Sequence, residues 1–201
     1  MNTVCFRDFE ERDIDFIYRC KNDEKLNSMI VGAWHPFTYD EAVKWVHGCM
    51  GEHETFKFWA ICTNESEKKI IGWISLSNID KTNHSACFHG LVIGDSNYRD
   101  GSAWVESYMI ILEIAFEQMK LNRLYGTYLP NHVMTKSMTN SVFFVTEGIF
   151  RQSTIKNNKY CDEVFASLLA SEYYGHKNKG EYTYNSIFRR LIKELKKNRK
   201  G

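Results

Sequence analysis

Between Leu91 and Ser102 the chain turns from an apolar run into a polar, glycine-bearing loop, Asp95-Ser96-Asn97-Tyr98-Arg99-Asp100-Gly101-Ser102, and then into a long apolar run ending near Phe116. The pattern is strand, loop, helix N-terminus. The first N–H groups of a helix have no partner within it and sit at the positive end of its dipole, so such a junction can hold a phosphate or pyrophosphate. Polar loops also precede many helices that bind nothing, so the surroundings decide. Metal chemistry has no comparable signal: the six cysteines, at positions 5, 20, 49, 62, 87 and 161, include no C-x-x-C pair and none stands at zinc-ligand spacing from a histidine. They read as reduced core thiols of an intracellular protein.

The loop belongs to a chain of 201 residues that fits one domain with appendages, and its five Trp, eleven Tyr and thirteen Phe are ample for a core. A net charge of +1 argues against bulk attraction to nucleic acid or membrane. The charge is uneven, however. From Lys177 to Lys200 nine Lys or Arg face only Glu181 and Glu194, which leaves the rest of the chain acidic. The N-terminus lacks the basic-then-apolar pattern of a signal peptide and no apolar run reaches about 18 residues, so the expectation is a cytoplasmic protein without membrane contact.

In chain order, Thr3 to Arg7 reads as a first strand and Asp13 to Cys20 as a helix with Ile14, Ile17 and Tyr18 on one side. An irregular stretch follows through Met29, Ile30, Trp34, His35, Pro36 and Phe37, apolar enough to pack down or to line a pocket as a lid. Thr38 is an N-cap candidate, and Glu41 three residues on completes a capping box for a second helix. Alternation from Phe56 to Thr63, Lys69 to Ile79 and His84 to Gly94 predicts a three-strand meander. Ala103 to Met119 predicts the longest helix and Arg123 to Leu129 a strand. The crossover rule makes that strand a parallel neighbour of the one before the helix. A weaker helix over His132 to Ser141 and a hairpin turning at Asn157-Asn158 complete the core, with Gly175 to Gly180 expected as a linker to a basic tail helix. The domain is thus expected to span 1–172, with 173–201 as linker and tail. Such a tail docks on its own domain, on a second subunit in a homodimer, or on nucleic acid or the ribosome.

This order of elements resembles the GNAT superfamily of N-acetyltransferases, and the wording is similar to its ribosomal-protein-alanine and spermidine acetyltransferase branch. Ile93-Gly94-Asp95, Tyr98, Glu106, Ala115-Phe116-Glu117, Leu121, Arg123, Tyr125, Thr127, Leu129-Pro130, Phe144 and Glu147-Gly148 fall in register with that branch without a gap. Phe6, Arg7, Asp13, Asn22-Asp23 and the segment Asn158 to Glu163 extend the match. The resemblance implies an α+β, three-layer fold with a mixed, mostly antiparallel sheet whose one parallel pair splays at Leu91 and Tyr128. It also implies acetyl-CoA as co-substrate and no metal. Backbone groups of Leu91, Val92 and Ile93 would meet the pantetheine arm as a partial strand, and Arg99, Asp100, Gly101, Ser102, Ala103, Trp104 and Thr135 would surround the rest of the cofactor.

Departures from the family pattern fall on the functional positions. Ser102 stands where the loop has Gly, Trp104 where it has Gly or Ala, and Gly101 is offset by one. His132 falls at the family's Asn, Thr135 at its Ser, Thr139 at the Tyr that protonates the departing thiolate, and Phe143 at a Gly. In an active enzyme an ammonium must lose a proton, for which His132 and His89 are the candidate bases and Thr139 a hydrogen-bond partner on the thiolate side. Strand alternation lets only one of Phe88 and His89 face the cleft. Trp34, His35, Phe37 and Tyr128 would shape the site of a small-molecule or peptide amine acceptor. The expected activity is acetyl transfer to a primary amine by direct attack in a ternary complex. A non-catalytic module whose groove Trp104 fills, and a ribosome- or RNA-associated protein acting through its tail, are the alternatives.

Overall fold

A computed structural model describes residues 3–198. Its strands are β1 (Val4–Arg7), β2 (Lys57–Thr63), β3 (Ile70–Asp80), β4 (Ser85–Ile93), β5 (Arg123–Tyr128), β6 (Val145–Lys156) and β7 (Lys159–Leu169), joined in one sheet of order β1-β2-β3-β4-β5-β7-β6. Every neighbouring pair is antiparallel except β4 and β5, the pair joined by the crossover helix. The helices are α1 (Ile14–Lys21), α2 (Glu24–Asn27), α3 (Tyr39–Cys49), α4 (Ser102–Glu113), α5 (Val133–Ser141), α6 (Ala170–Asn178) and α7 (Tyr184–Asn198). The expected three-layer α+β architecture is present.

Strand alternation sorts the core into two halves. Ile61, Ile74, Leu91 and Ile93 point to the face covered by α4, α5 and α7, whereas Ala60, Cys62, Trp73 and Val92 point to the face covered by α1 and α3. The buried carboxylate of Glu106 in α4 accepts from Thr3 N at 2.7 Å and Val4 N at 2.9 Å, which ties the start of β1 to the crossover helix. The capping box of α3 forms as expected: Glu41 N donates to Thr38 Oγ1 at 3.3 Å and Thr38 N to Glu41 Oε2 at 2.7 Å. Thr38→Ala leaves one of these helix donors without its side-chain acceptor and is expected to cost about 1 kcal/mol. That is a fall of about 2–4 °C in Tm by calorimetry, and an unchanged Tm would show that the cap contributes nothing.

Three expectations change. The long helix after the loop gives way to a π-helical turn over Ile114–Gln118. The polar run 175–180 is mostly helix: Glu172 Oε2 accepts from Leu169 N at 2.9 Å, and the Tyr173 ring stacks on Phe116 with centroids 4.8 Å apart, so a tertiary contact extends α6 through residues of poor pattern. Residue 172 therefore lies inside a helix, and the turn before the tail is residues 179–183. Phe143, at the position of the family's Gly, adopts φ of +68°, a strained conformation for any residue with a Cβ. Its ring lies flat against His176 of α6, centroids 3.6 Å apart, with the Arg190 guanidinium of α7 4.3 Å from the ring centroid. The C-terminal helices hold in place what a glycine would adopt freely.

No described helix is long and apolar enough to cross a membrane.

Candidate active site

β4 and β5 pair over only three residues, Ser85↔Arg123, Ala86↔Leu124 and Cys87↔Tyr125. Beyond these, β4 follows β3 and β5 follows β7 as far as Tyr128↔Val164, so the two parallel strands part. The opening starts at Phe88 and Gly126, earlier than the Leu91 and Tyr128 expected from sequence. Gly126 is where the backbones last touch: a Cβ there would lie 2.6 Å from the Phe88 carbonyl oxygen. On its other side β4 slips in register, with Trp73 opposite Val92 but Ser75 opposite His89. The extra residue of this bulge sits beside Gly90, at φ +72°. The slip lies beyond both Phe88 and His89, which pair in regular register with Leu76 and Ser75 and so stay on opposite faces of β4. Both nonetheless line the cavity, contrary to the expectation that only one of them faces it, because the gap between the strands opens toward Tyr108 on one face of the sheet and Ile30 on the other.

The parted strands enclose a cavity walled by residues 88–92 of β4, 126–128 of β5, Trp104 and Tyr108 of α4, and His132, Thr135 and Thr139, from the N-cap of α5 to its last turn. All three expected catalytic residues, His132, Thr139 and His89, line it. So do Leu91, Val92, Trp104, Thr135 and Tyr128 of the expected binding residues. Burial holds the His132 imidazole below its ordinary pKa. Its Nδ1 is hydrogen-bonded to Thr135 Oγ1 at 2.8 Å, and its Nε2 has no partner among the described residues. His89 sits at the open mouth, where solvent reaches it but protein crowds it. Burial lowers its pKa, the Glu163 carboxylate opposes that shift and the Lys21 ammonium adds to it. Both imidazoles are therefore neutral at pH 7 and able to take a proton.

Thr139 Oγ1 donates to the Thr135 carbonyl at 2.7 Å and lines the same cavity as Tyr108. Tyr108 is only 2% exposed, and burial holds its hydroxyl proton well above the ordinary range for a phenol. The sequence does not single this residue out, since it falls within the apolar run of the long helix. The one available signal was its spacing of four from Trp104, which puts both on one stripe.

The loop before α4 is turned inward. Arg99 Nε donates to the Ile93 carbonyl at 2.8 Å and Arg99 Nη2 to the Gly94 carbonyl at 2.6 Å, which spends the guanidinium, and the Ile93 carbonyl with it, on the end of β4. Asp100 Oδ1 accepts from Ser102 N at 2.9 Å and Ser102 Oγ at 2.6 Å, so a side-chain carboxylate already occupies the first anion position of the helix. Gly101, the N-cap at φ +103°, lies beneath Phe188 and Leu191 of α7, and Ala103 is buried in the core.

Of the expected acceptor lid, Trp34, His35 and Phe37 do not line the cavity. Trp34 Nε1 donates to the Lys21 carbonyl at 2.7 Å, the Phe37 ring lies 5.4 Å from Lys21 Nζ, and His35 stays on the surface. This part of the segment closes the C-terminal end of α1. The cavity is instead met by Met29, Ile30 and Val31. The hairpin of β6 and β7 holds that turn: Gly32 N donates to Thr154 Oγ1 at 3.1 Å, and Lys156 Nζ donates to the carbonyls of Asn27 at 2.9 Å and Gly32 at 3.0 Å. No group of three or more His, Cys, Asp or Glu among the described residues could hold a metal ion.

Comparison with known proteins agrees with this geometry. The family model described as "Acetyltransferase (GNAT) domain" matches residues 3–141. The uncharacterized N-acetyltransferase YnaD of Bacillus subtilis is 25% identical over 173 residues, 85% of this chain and 95% of the relative. The crystal structure of an acetyltransferase (GNAT family) from Bacillus anthracis has a TM-score of 0.72 at 22% identity, covering 85% of this chain and 96% of that one. The spermidine N-acetyltransferase from Vibrio cholerae, solved in complex with CoA and spermine, has a TM-score of 0.74 at 19% identity, covering 87% and 99%. The two structures speak for the fold, and the family model spans most of the sheet and the helices that wall the cavity. The chain therefore belongs to the acetyltransferase (GNAT) family, whose members use acetyl-CoA.

Proposed function

We propose that the protein transfers the acetyl group of acetyl-CoA to a primary amine by direct attack in a ternary complex. The observation that carries this reading is the gap between two parallel strands, with free backbone edges along 88–92 and 126–128 and two neutral imidazoles at its walls. An extended, amide-bearing pantetheine arm suits those edges as a partial strand. The amine nitrogen attacks the thioester carbon, the C–S bond breaks, and the sulfur leaves as thiolate. His89, at the mouth, takes the proton that the ammonium must lose, and the Glu163 carboxylate favours the imidazolium that results. Tyr108, whose buried hydroxyl keeps its proton, is placed in the same cavity to donate a hydrogen bond to the departing sulfur. His132, braced by Thr135, offers Nε2 to an oxygen of the donor.

The first test is binding and turnover together. Millimolar acetyl-CoA is expected to raise Tm, since a ligand at 100 times its Kd adds about 2.7 kcal/mol, or about 5–10 °C for a chain of this size. A panel of primary amines, spermidine and amino sugars among them, is expected to release CoA thiol with at least one member. The absence of both a thermal shift and thiol release would sink the proposal.

A further inference from the structure

α7 lies across the N-terminus of α4, the place the proposed donor needs for its diphosphate. A Cβ on Gly101 would be 3.5 Å from Leu191 Cδ2 and 3.8 Å from Phe188 Cε2, so these side chains are already in contact range of the loop. The helix is pinned along α5: Arg190 Nε donates to the Ser141 carbonyl at 2.7 Å, Asn140 Nδ2 to Glu194 Oε2 at 3.0 Å, and Asn198 Nδ2 to Ser137 Oγ at 2.9 Å. A diphosphate at this helix start would use the N–H groups there and the space in front of them. Phe188 and Leu191 stand against Gly101, the N-cap of that start, and Asp100 already takes the N–H of Ser102.

Ile187 and Leu191 are the fully buried residues of α7, Tyr184, Phe188 and Leu195 pack half-buried against the same core, and Ile192 is exposed. Arg189, Lys193, Lys196 and Lys197 crowd its outer face, with like charges at i,i+4 and no ion-pair partner among the described residues. A helix of fifteen residues with such a charge pattern has little stability of its own, so its place depends on what it packs against. The turn of residues 179–183 that joins it to α6 contains Gly180 at φ +72°, and Tyr182 Oη anchors it by donating to the Val142 carbonyl at 2.9 Å.

We infer that α7 is a displaceable strap over the diphosphate end of the acetyl-CoA groove, closed in the free protein and lifted when the donor binds. The inference rests on the proposed donor. A donor that binds only the lifted form has its affinity reduced by the fraction of molecules in that form. Changes that loosen α7 therefore tighten donor binding, the reverse of what removing a binding surface would do.

Amide hydrogen exchange of the full chain with and without CoA reads the strap directly. With CoA, residues 184–198 are expected to exchange faster while residues 85–93 exchange more slowly. Leu191→Asp is expected to lower the Kd for CoA by at least tenfold. Should that core substitution unfold the protein, Phe188→Ala removes the half-buried ring beside Gly101 and is expected to act in the same direction. CoA binding with α7 exchange unchanged or slowed, or variants that bind CoA no tighter, overturns the strap and leaves the acetyltransferase reading standing. If neither the full chain nor the variants bind CoA, the donor reading itself fails and the strap with it.

Discussion

His89→Gln is expected to lower kcat for amine acetylation by about 100-fold at pH 7, the lower end of what a positioned general base contributes. The imidazole is available because burial at the cleft mouth keeps it neutral, its pKa lying below 6.5, while the carboxylate of Glu163 limits the depression and favours the protonated product of the step. An acceptor amine with a pKa near that of lysine, about 10.4, arrives almost wholly as ammonium and has to be deprotonated in the complex. In the wild type, kcat/KM is expected to fall with decreasing pH as His89 becomes protonated, at a pH below 6.5. In the variant the amine depends on bulk base, so the deficit narrows as pH rises toward 10. His89 is exposed, and its replacement should leave Tm nearly unchanged. If His89→Gln keeps the wild-type rate and pH profile while His132→Gln loses both, the proton goes to His132 and the roles are reversed.

Chemistry of this kind depends on side-chain direction, and that was the part of the site least legible in the sequence. The elements themselves were plain: the Thr38 and Glu41 box, the alternation of β2 to β4, and the crossover from β4 through α4 to a parallel β5 rest on local periodicity and on one handedness rule. The bulge beside Gly90 was not, because a one-residue slip reverses the facing of every later side chain and leaves only a glycine as its trace. Nor did the sequence show that the strand gap would bring Phe88 and His89, on opposite faces of β4, to one cavity. Arg99 and Asp100 stand at positions that suggest an open phosphate loop, yet both turn back on their own backbone, a choice made by nearby carbonyl and N–H groups that no spacing reveals. α6 was hidden for a related reason, since its stability comes from Tyr173 stacking on Phe116, more than fifty residues away.

Gly126→Ala is expected to lower kcat/KM for acetyl-CoA by about 100-fold, the cost of misplacing reacting groups by about 1 Å. The methyl group is small, but its position leaves it nowhere to go. It would stand 2.6 Å from the Phe88 carbonyl oxygen, a backbone atom that no rotamer change can move aside. Relief requires β4 and β5 to separate just above Cys87↔Tyr125, the last pair of their short ladder. Moving β5 drags on its pairing with β7 at Gly126↔Ala166, and moving β4 shifts His89 and the bulge that follows it. Either movement changes the width of the gap in which the donor arm is proposed to lie. Overpacking of this kind costs about 1–3 kcal/mol of stability, so the variant should remain folded at 25 °C with a lowered Tm. The informative comparison is Gly148→Ala on β6, where a Cβ meets nothing within 4 Å and neither stability nor rate should change appreciably. A Gly126→Ala protein that retains wild-type kcat/KM would show that the separation of β4 and β5 does not control donor placement.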